Sequence, residues 1–146
     1  ATSSASVIKN VQDKWDEKFK RLYPTVEKYM MDDAEYAIVV AGFHSSTGKA
    51  AVNRLREQGE KAGLLRIRVL RPFPEDEIKE ALQQVKKAGI VDQSVSPGAT
   101  GQLYTEIRPL CNAVSFTSIG GHISEKDFID MFSNLKTEGK ERFWVM

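Results

Sequence analysis

The sequence predicts an α/β protein: three layers, with a mostly parallel sheet of about four to five strands and helices on both faces. Three observations predict it. Between residues 36 and 135, short apolar runs alternate with segments of helical periodicity, and such alternation builds strand–helix–strand units around a parallel sheet. The run at 36–41, Tyr-Ala-Ile-Val-Val-Ala, is almost continuously apolar, as strands covered on both faces are. Gly42, Gly63, Gly89, Gly101 and the pair Gly120 and Gly121 punctuate the same boundaries, where chain breakers belong.

In order along the chain, residues 1–6 read as a frayed end. Val11, Trp15, Phe19, Leu22, Val26 and Met30 recur every three or four residues, one stripe of a helix. Pro24 interrupts it because proline lacks the amide that bonds four residues back. One helix to about Leu22 and a second short one from Pro24 are expected. Together they form a helical lead-in over 1–35, ahead of an α/β domain over 36–146. After the strand at 36–41, a helix is expected over 48–62, with Ala51, Val52 and Leu55 inward and Gly63 as its stop. Leu65, Ile67 and Val69 alternate with Arg66 and Arg68. Alternation predicts a strand half-covered by protein, with both arginines facing a partner domain or water.

Arg71-Pro72-Phe73-Pro74 breaks the chain. Glu75, Asp76 and Glu77, then Lys86 and Lys87, bracket Ile78, Leu82 and Val85. Acids first and lysines last complement a helix dipole. A short strand at 90–92, a turn-rich loop at 94–101, a short helix at 102–110 and a strand at 113–119 follow. The last helix has the clearest start: Ser124 as N-cap, Asp127 as the capping-box acid, and Ile123 stapling onto Phe128.

Composition excludes several function classes. The chain has 146 residues, 21 basic against 20 acidic side chains, and one cysteine. That is one domain on the usual scale of ~100–200 residues. A lone cysteine forms no intrachain disulfide and no four-cysteine cluster, and two histidines add no zinc set. A net charge of +1 argues against general nucleic-acid or anionic-membrane binding. No apolar run reaches the ~18 residues of a spanning helix, and no signal-peptide pattern is seen. The expected location is the cytoplasm. Charge is uneven, however: residues 36–70 carry six basic and two acidic side chains, as a solvated face or a surface for an acidic partner would. The first residue is not Met, which suggests a piece of a larger polypeptide.

The loop at 42–50 invites a phosphate reading, but it fails the P-loop pattern at two points. Five residues separate Gly42 from Gly48, and Ala50 stands where the Mg²⁺-binding hydroxyl belongs. What survives is a helix N-terminus after a strand, which can hold an anion on free amides. Ser45, Ser46, Thr47 and Gly48 are therefore ligand-binding candidates, alongside hydroxyl caps and turn glycines as the plainer reading. Ser96, Gly98 and Gly101 are candidates in the second loop, also beyond a strand end. His44 and His122 both follow strands and so share an edge of the sheet, but no orienting carboxylate or nucleophile spacing supports catalysis. Cys111 reads as a small buried apolar group. No catalytic residue and no metal ligand is assigned.

Four segments carry a resemblance: residues 34–40, Ala-Glu-Tyr-Ala-Ile-Val-Val; residues 46–56, from Ser-Thr-Gly-Lys-Ala to Arg-Leu-Arg; residues 63–74, ending Arg-Pro-Phe-Pro; and residues 96–106, opening Ser-Pro-Gly-Ala-Thr-Gly-Gln. On these the chain resembles the transketolase C-terminal-like domain, more narrowly that of 2-oxoacid:ferredoxin oxidoreductase α-subunits of the pyruvate synthase type. The resemblance implies a whole complex that oxidatively decarboxylates a 2-oxo acid to an acyl-coenzyme A. It uses thiamine diphosphate, Mg²⁺ and iron–sulfur clusters that are held elsewhere, as is coenzyme A. This domain would be a structural, subunit-contacting unit. Its partners are other domains or subunits, with ferredoxin reached only through the complex. Arg66, Arg68, Arg71 and Phe73 are the interface candidates. The rival expectation is a module that binds an anion, a nucleotide or coenzyme A at the two loops.

Overall fold

A computed structural model describes residues 2–96, 98–137 and 139–145. Pro97 of the expected turn, and the terminal Ala1 and Met146, lie outside the described residues. Strands β1 (Val26–Tyr29), β2 (Tyr36–Ala41), β3 (Ala62–Ile67), β4 (Lys87–Asp92), β5 (Ala113–Ser118) and β6 (Arg142–Val145) form one sheet in the order β1-β3-β2-β4-β5-β6. All neighbours are parallel except the edge pair β1 and β3. Helices α1 (Thr2–Phe19), α2 (Ser45–Glu57), α3 (Glu75–Leu82), α4 (Gln102–Ile107) and α5 (Glu125–Leu135) complete the chain.

The central strands β2 and β4 are buried almost throughout, because side chains on both faces meet a helix layer. On one face Ile38, Val40, Leu64 and Phe116 pack with Val52 of α2 and with Phe128 and Met131 of α5. On the other, Val39, Leu65, Ile67 and Ile90 pack with Ile78 of α3 and Leu103 of α4. The three-layer expectation is met. The Ser124 capping box with Asp127 forms as the spacing predicts, and Ile123 and Phe128 join one apolar cluster.

Four local expectations are corrected. The second short helix is absent: Val26–Tyr29 is strand β1, registered Val26 to Ile67 and Tyr29 to Leu64 on β3. The open edge of β3 offers this segment backbone partners, and Val26 gains a buried place. Sheet pairing of this kind overrides the local periodicity. Residues 2–6 are helical, as the start of α1, not frayed. Helix α2 begins and ends earlier than 48–62; Gly59, at φ +83°, follows its end, while Gly63 lies inside β3. Strand β3 is buried on both faces from Ala62 to Leu65, because Leu64 packs on the α2 and α5 side and Leu65 on the α3 and α4 side; the half-covered alternation holds only beyond, with Ile67 buried and Arg66 half-buried. The edge strand β6 was not expected. It is four residues long and follows a glycine-containing stretch, too short for a periodic signal.

Candidate functional site

Strand order reverses between β2 and β4, since the chain leaves β2 toward β3 and then returns to the other side of β2. Open parallel sheets place their crevice at such a switch point, beyond the carboxyl ends of the strands. A cleft of about 530 Å³ lies there, between the ends of β2 and β4, the segment after β3, and α4. His44 and Ser94 both line it, so the two candidate loops share one edge of the sheet, as their parallel strands predict. His44 and His122 meet at the same edge, with ring centroids 6.2 Å apart.

Asp92, the last residue of β4, is 5% exposed. Its Oδ1 accepts from the Leu103 amide and its Oδ2 from the Tyr104 amide, each at 2.9 Å. A strand-end carboxylate thus caps α4, whose own N-cap is a glycine. Burial pushes the Asp92 carboxyl above its ordinary value, and the two amide bonds oppose that only in part. Across the cleft, the Arg71 guanidinium forms two hydrogen bonds to Glu106, at 2.6 and 3.0 Å, and Gln102 donates to the same carboxylate at 2.8 Å. Arg71 lies 6.0 Å from the Phe73 ring centroid. The Arg71 hydrogen bond holds Glu106 below the usual carboxylate value.

The ligand-binding candidates separate into two kinds. Ser45 is buried, and its hydroxyl donates to the Gly42 carbonyl at 2.9 Å. A Cβ on Gly48 would sit 2.4 Å from Leu64, so this glycine lets α2 lie close on β3. Gly101 is pressed against Asp92 in the same way. Ser46, Ser96 and Gly98 are exposed, and Thr47 is half-buried. At the start of α2, the Ser45 and Ser46 amides turn back to the Gly42 and Phe43 carbonyls at 3.5 and 3.2 Å. At the start of α4, the Leu103 and Tyr104 amides are held by Asp92.

Arg66 and Arg68 do not simply face water. They reach Glu27 on β1, Arg68 at 2.6 Å and Arg66 at 3.8 Å, and Lys49 of α2 bonds the same carboxylate. Glu27 sits opposite Arg66 in the register of β1 and β3, so the misread segment supplies the missed partner. Burial opposes the Glu27 charge, but the Lys49 hydrogen bond and the charges of Arg68, Lys49 and Arg66 outweigh it and lower the pKa. Such a carboxylate stabilises the fold above its unfolded value near 4.5, and that contribution is lost as pH falls through its lower folded value. Urea unfolding of wild type and Glu27→Gln across this acid range is expected to show a smaller stability loss in the variant. Cys111 is half-buried, and burial pushes its thiol up to about 11.

The architecture is that of a parallel α/β domain whose cleft pairs Asp92 with helix amides and Arg71 with Glu106, while the buried ring nitrogens of His44 have no hydrogen-bond partner among the described residues. A family model, pyruvate:ferredoxin oxidoreductase core domain II, matches residues 34–127, and the chain belongs to that family. It is 38% identical over 107 residues to pyruvate synthase subunit PorA of Methanothermobacter thermautotrophicus, covering 73% of this chain and 28% of the relative. It is 42% identical over 94 residues to the α-subunit of NADH-dependent phenylglyoxylate dehydrogenase of Aromatoleum evansii, covering 64% and 22%. PorA of Methanocaldococcus jannaschii matches at 33% over 150 residues, 95% of this chain and 38% of that one. The chain thus spans a minor part of the relatives it matches. Its fold is shared with the 2-oxoglutarate:ferredoxin oxidoreductase of Magnetococcus marinus, solved with 2-oxoglutarate, coenzyme A and succinyl-CoA bound. That match has a TM-score of 0.67 and 19% identity, and covers 83% of this chain and 21% of that one.

Proposed function

We propose that this chain is the non-catalytic assembly domain of a cytoplasmic, thiamine-diphosphate-dependent 2-oxoacid:ferredoxin oxidoreductase. The whole complex would convert a 2-oxo acid to an acyl-CoA. The observation that carries the reading is the family match over residues 34–127, on a fold in which the charged groups lining the strand-end cleft pair internally. Asp92 is held by helix amides and Arg71 by Glu106.

The residues of this chain do not fit the family's metal and cluster cofactors. One cysteine in the whole sequence cannot ligate an iron–sulfur cluster. Among the described residues no three His, Cys, Asp or Glu side chains gather as a metal site. In this reading thiamine diphosphate, Mg²⁺, the clusters and coenzyme A are held by other parts of the complex, and ferredoxin is reached through those parts. Neither nucleic acid nor membrane is a partner in this reading. No helix among the described residues is long and apolar enough to cross a membrane.

Exposed apolar side chains supply contact surface: Val11, Trp15 and Phe19 along α1, and Phe43, Leu70 and Ile119 at the strand ends. Apolar patches of this kind mark association surfaces. Tagged chain, co-expressed with the companion subunits, is expected to elute with them as one species in gel filtration. Elution of the chain by itself in the presence of folded companions would refute the assembly role.

A further inference from the structure

Lys49, Arg66 and Arg68 converge on a single carboxylate, Glu27. Their side chains are 27%, 29% and 19% exposed, and that of Glu27 is 20% exposed. Three cations thus share one anion in a half-buried setting, where unmatched charge is costly. Arg66 is the least satisfied: its nearest approach to Glu27 is 3.8 Å, beyond hydrogen-bond reach. Arg66 Nε, one terminal nitrogen of Arg68 (Nη1) and Glu27 Oε2 are all buried without a hydrogen-bond partner among the described residues, so hydrogen bonding within the cluster is incomplete on both sides. Tyrosines flank the cluster, with the Tyr23 ring 5.3 Å from the Arg68 guanidinium and the Tyr29 ring 5.0 Å from the Lys49 ammonium.

The position favours a macromolecule over a small ion. These cations do not line the strand-end cleft; they lie where β1 and β3 meet the first turns of α2, each side chain partly exposed. Arginine beside tyrosine is the composition of interface cores, and opposed charge selects and orients a partner. Three of the six basic residues in the stretch 36–70, which has only two acidic ones, belong to this cluster. We propose that Lys49, Arg66 and Arg68 form a docking point for an acidic segment of another subunit, whose carboxylate offsets the positive charge that Glu27 leaves unmatched. The inference rests on the assembly reading and names the chemistry of one contact within it.

The test measures the dissociation constant between this chain and purified companion subunits at low and high NaCl, with thermal unfolding of each variant alone as a folding check. Arg66→Gln is expected to weaken assembly about tenfold at low salt and to flatten the salt dependence. Arg66→Lys, which keeps the charge, is expected to retain most of the affinity. Glu27→Gln removes the internal competitor and is expected to tighten assembly severalfold. A purely internal role makes Glu27→Gln and Arg66→Gln act in the same direction, or leaves assembly unchanged by both; either result overturns the docking point. Should Glu27→Gln fail to fold, equal affinities for Arg66→Lys and Arg66→Gln would still overturn it. Displacement of the partner by inorganic phosphate beyond that by NaCl of equal ionic strength would assign the cluster to a free oxyanion instead. A wild-type chain that does not assemble at all refutes the assembly reading itself, a result distinguishable from failure of this contact.

Discussion

Phe128→Ala is expected to destabilise the chain by about 4 kcal/mol, the usual cost of emptying a buried aromatic site. Phe128 is fully buried, at 0% exposure. It faces the glycine at which α2 approaches the sheet: a Cβ on Gly48 would lie 3.3 and 3.4 Å from its ring carbons. The ring therefore fills the seam between α2, α5 and β3, and neither helix can close the gap without leaving the sheet. In a domain stable by ~5–15 kcal/mol, the loss shifts thermal unfolding by on the order of 10 °C. A shift below a few degrees would contradict this packing.

Gly101→Ala is expected to cost about 3 kcal/mol, and for a different reason. Gly101 has φ −59°, which any residue adopts, so its backbone conformation does not demand glycine. Space does: an added Cβ would fall 2.1 Å from the Asp92 carboxyl carbon and 2.3 Å from its Cβ. Either α4 moves away from β4 or Asp92 gives up the Leu103 and Tyr104 amides. Overpacking costs ~1–3 kcal/mol, and unpairing buried polar groups costs a similar amount. In a double-mutant cycle by urea unfolding, Asp92→Gly is expected to absorb much of the Gly101→Ala penalty, because it removes both the carboxyl and the Cβ that the added methyl meets. Additive effects would show that the penalty arises elsewhere.

The parts of the fold legible in the sequence are those whose cause is local. The apolar run of β2, the acidic first turn of α3 and the capping box at Ser124 each carry their signal within a few residues, and each forms. The parts that were not legible depend on distant partners. Val26–Tyr29 reads as helix by spacing and becomes strand because β3 has an open edge. That exchange also places Glu27 opposite Arg66, so misreading β1 hid the arginines' counter-ion. The role of Asp92 was similarly hidden: its amide partners lie 11 and 12 residues later. A faint signal existed, an acid closing an apolar strand before a helix whose own N-cap position is glycine. Gly48 and Gly101 were read as loop glycines near a ligand, whereas the structure uses both for close approach of a helix to the sheet or of a loop to a carboxylate.

The assembly role is tested most directly by turnover with and without the rest of the complex. The chain alone is supplied with thiamine diphosphate, Mg²⁺, coenzyme A, a one-electron acceptor and, in turn, pyruvate, 2-oxoisovalerate, 2-oxoglutarate and phenylglyoxylate. No 2-oxo-acid-dependent reduction above the buffer control is expected, because the chemistry belongs to cofactors that other parts must hold and orient. The same chain assembled with its companion subunits is expected to support acceptor reduction and acyl-CoA formation with at least one of these acids. Substrate-dependent reduction by the chain alone would contradict the account.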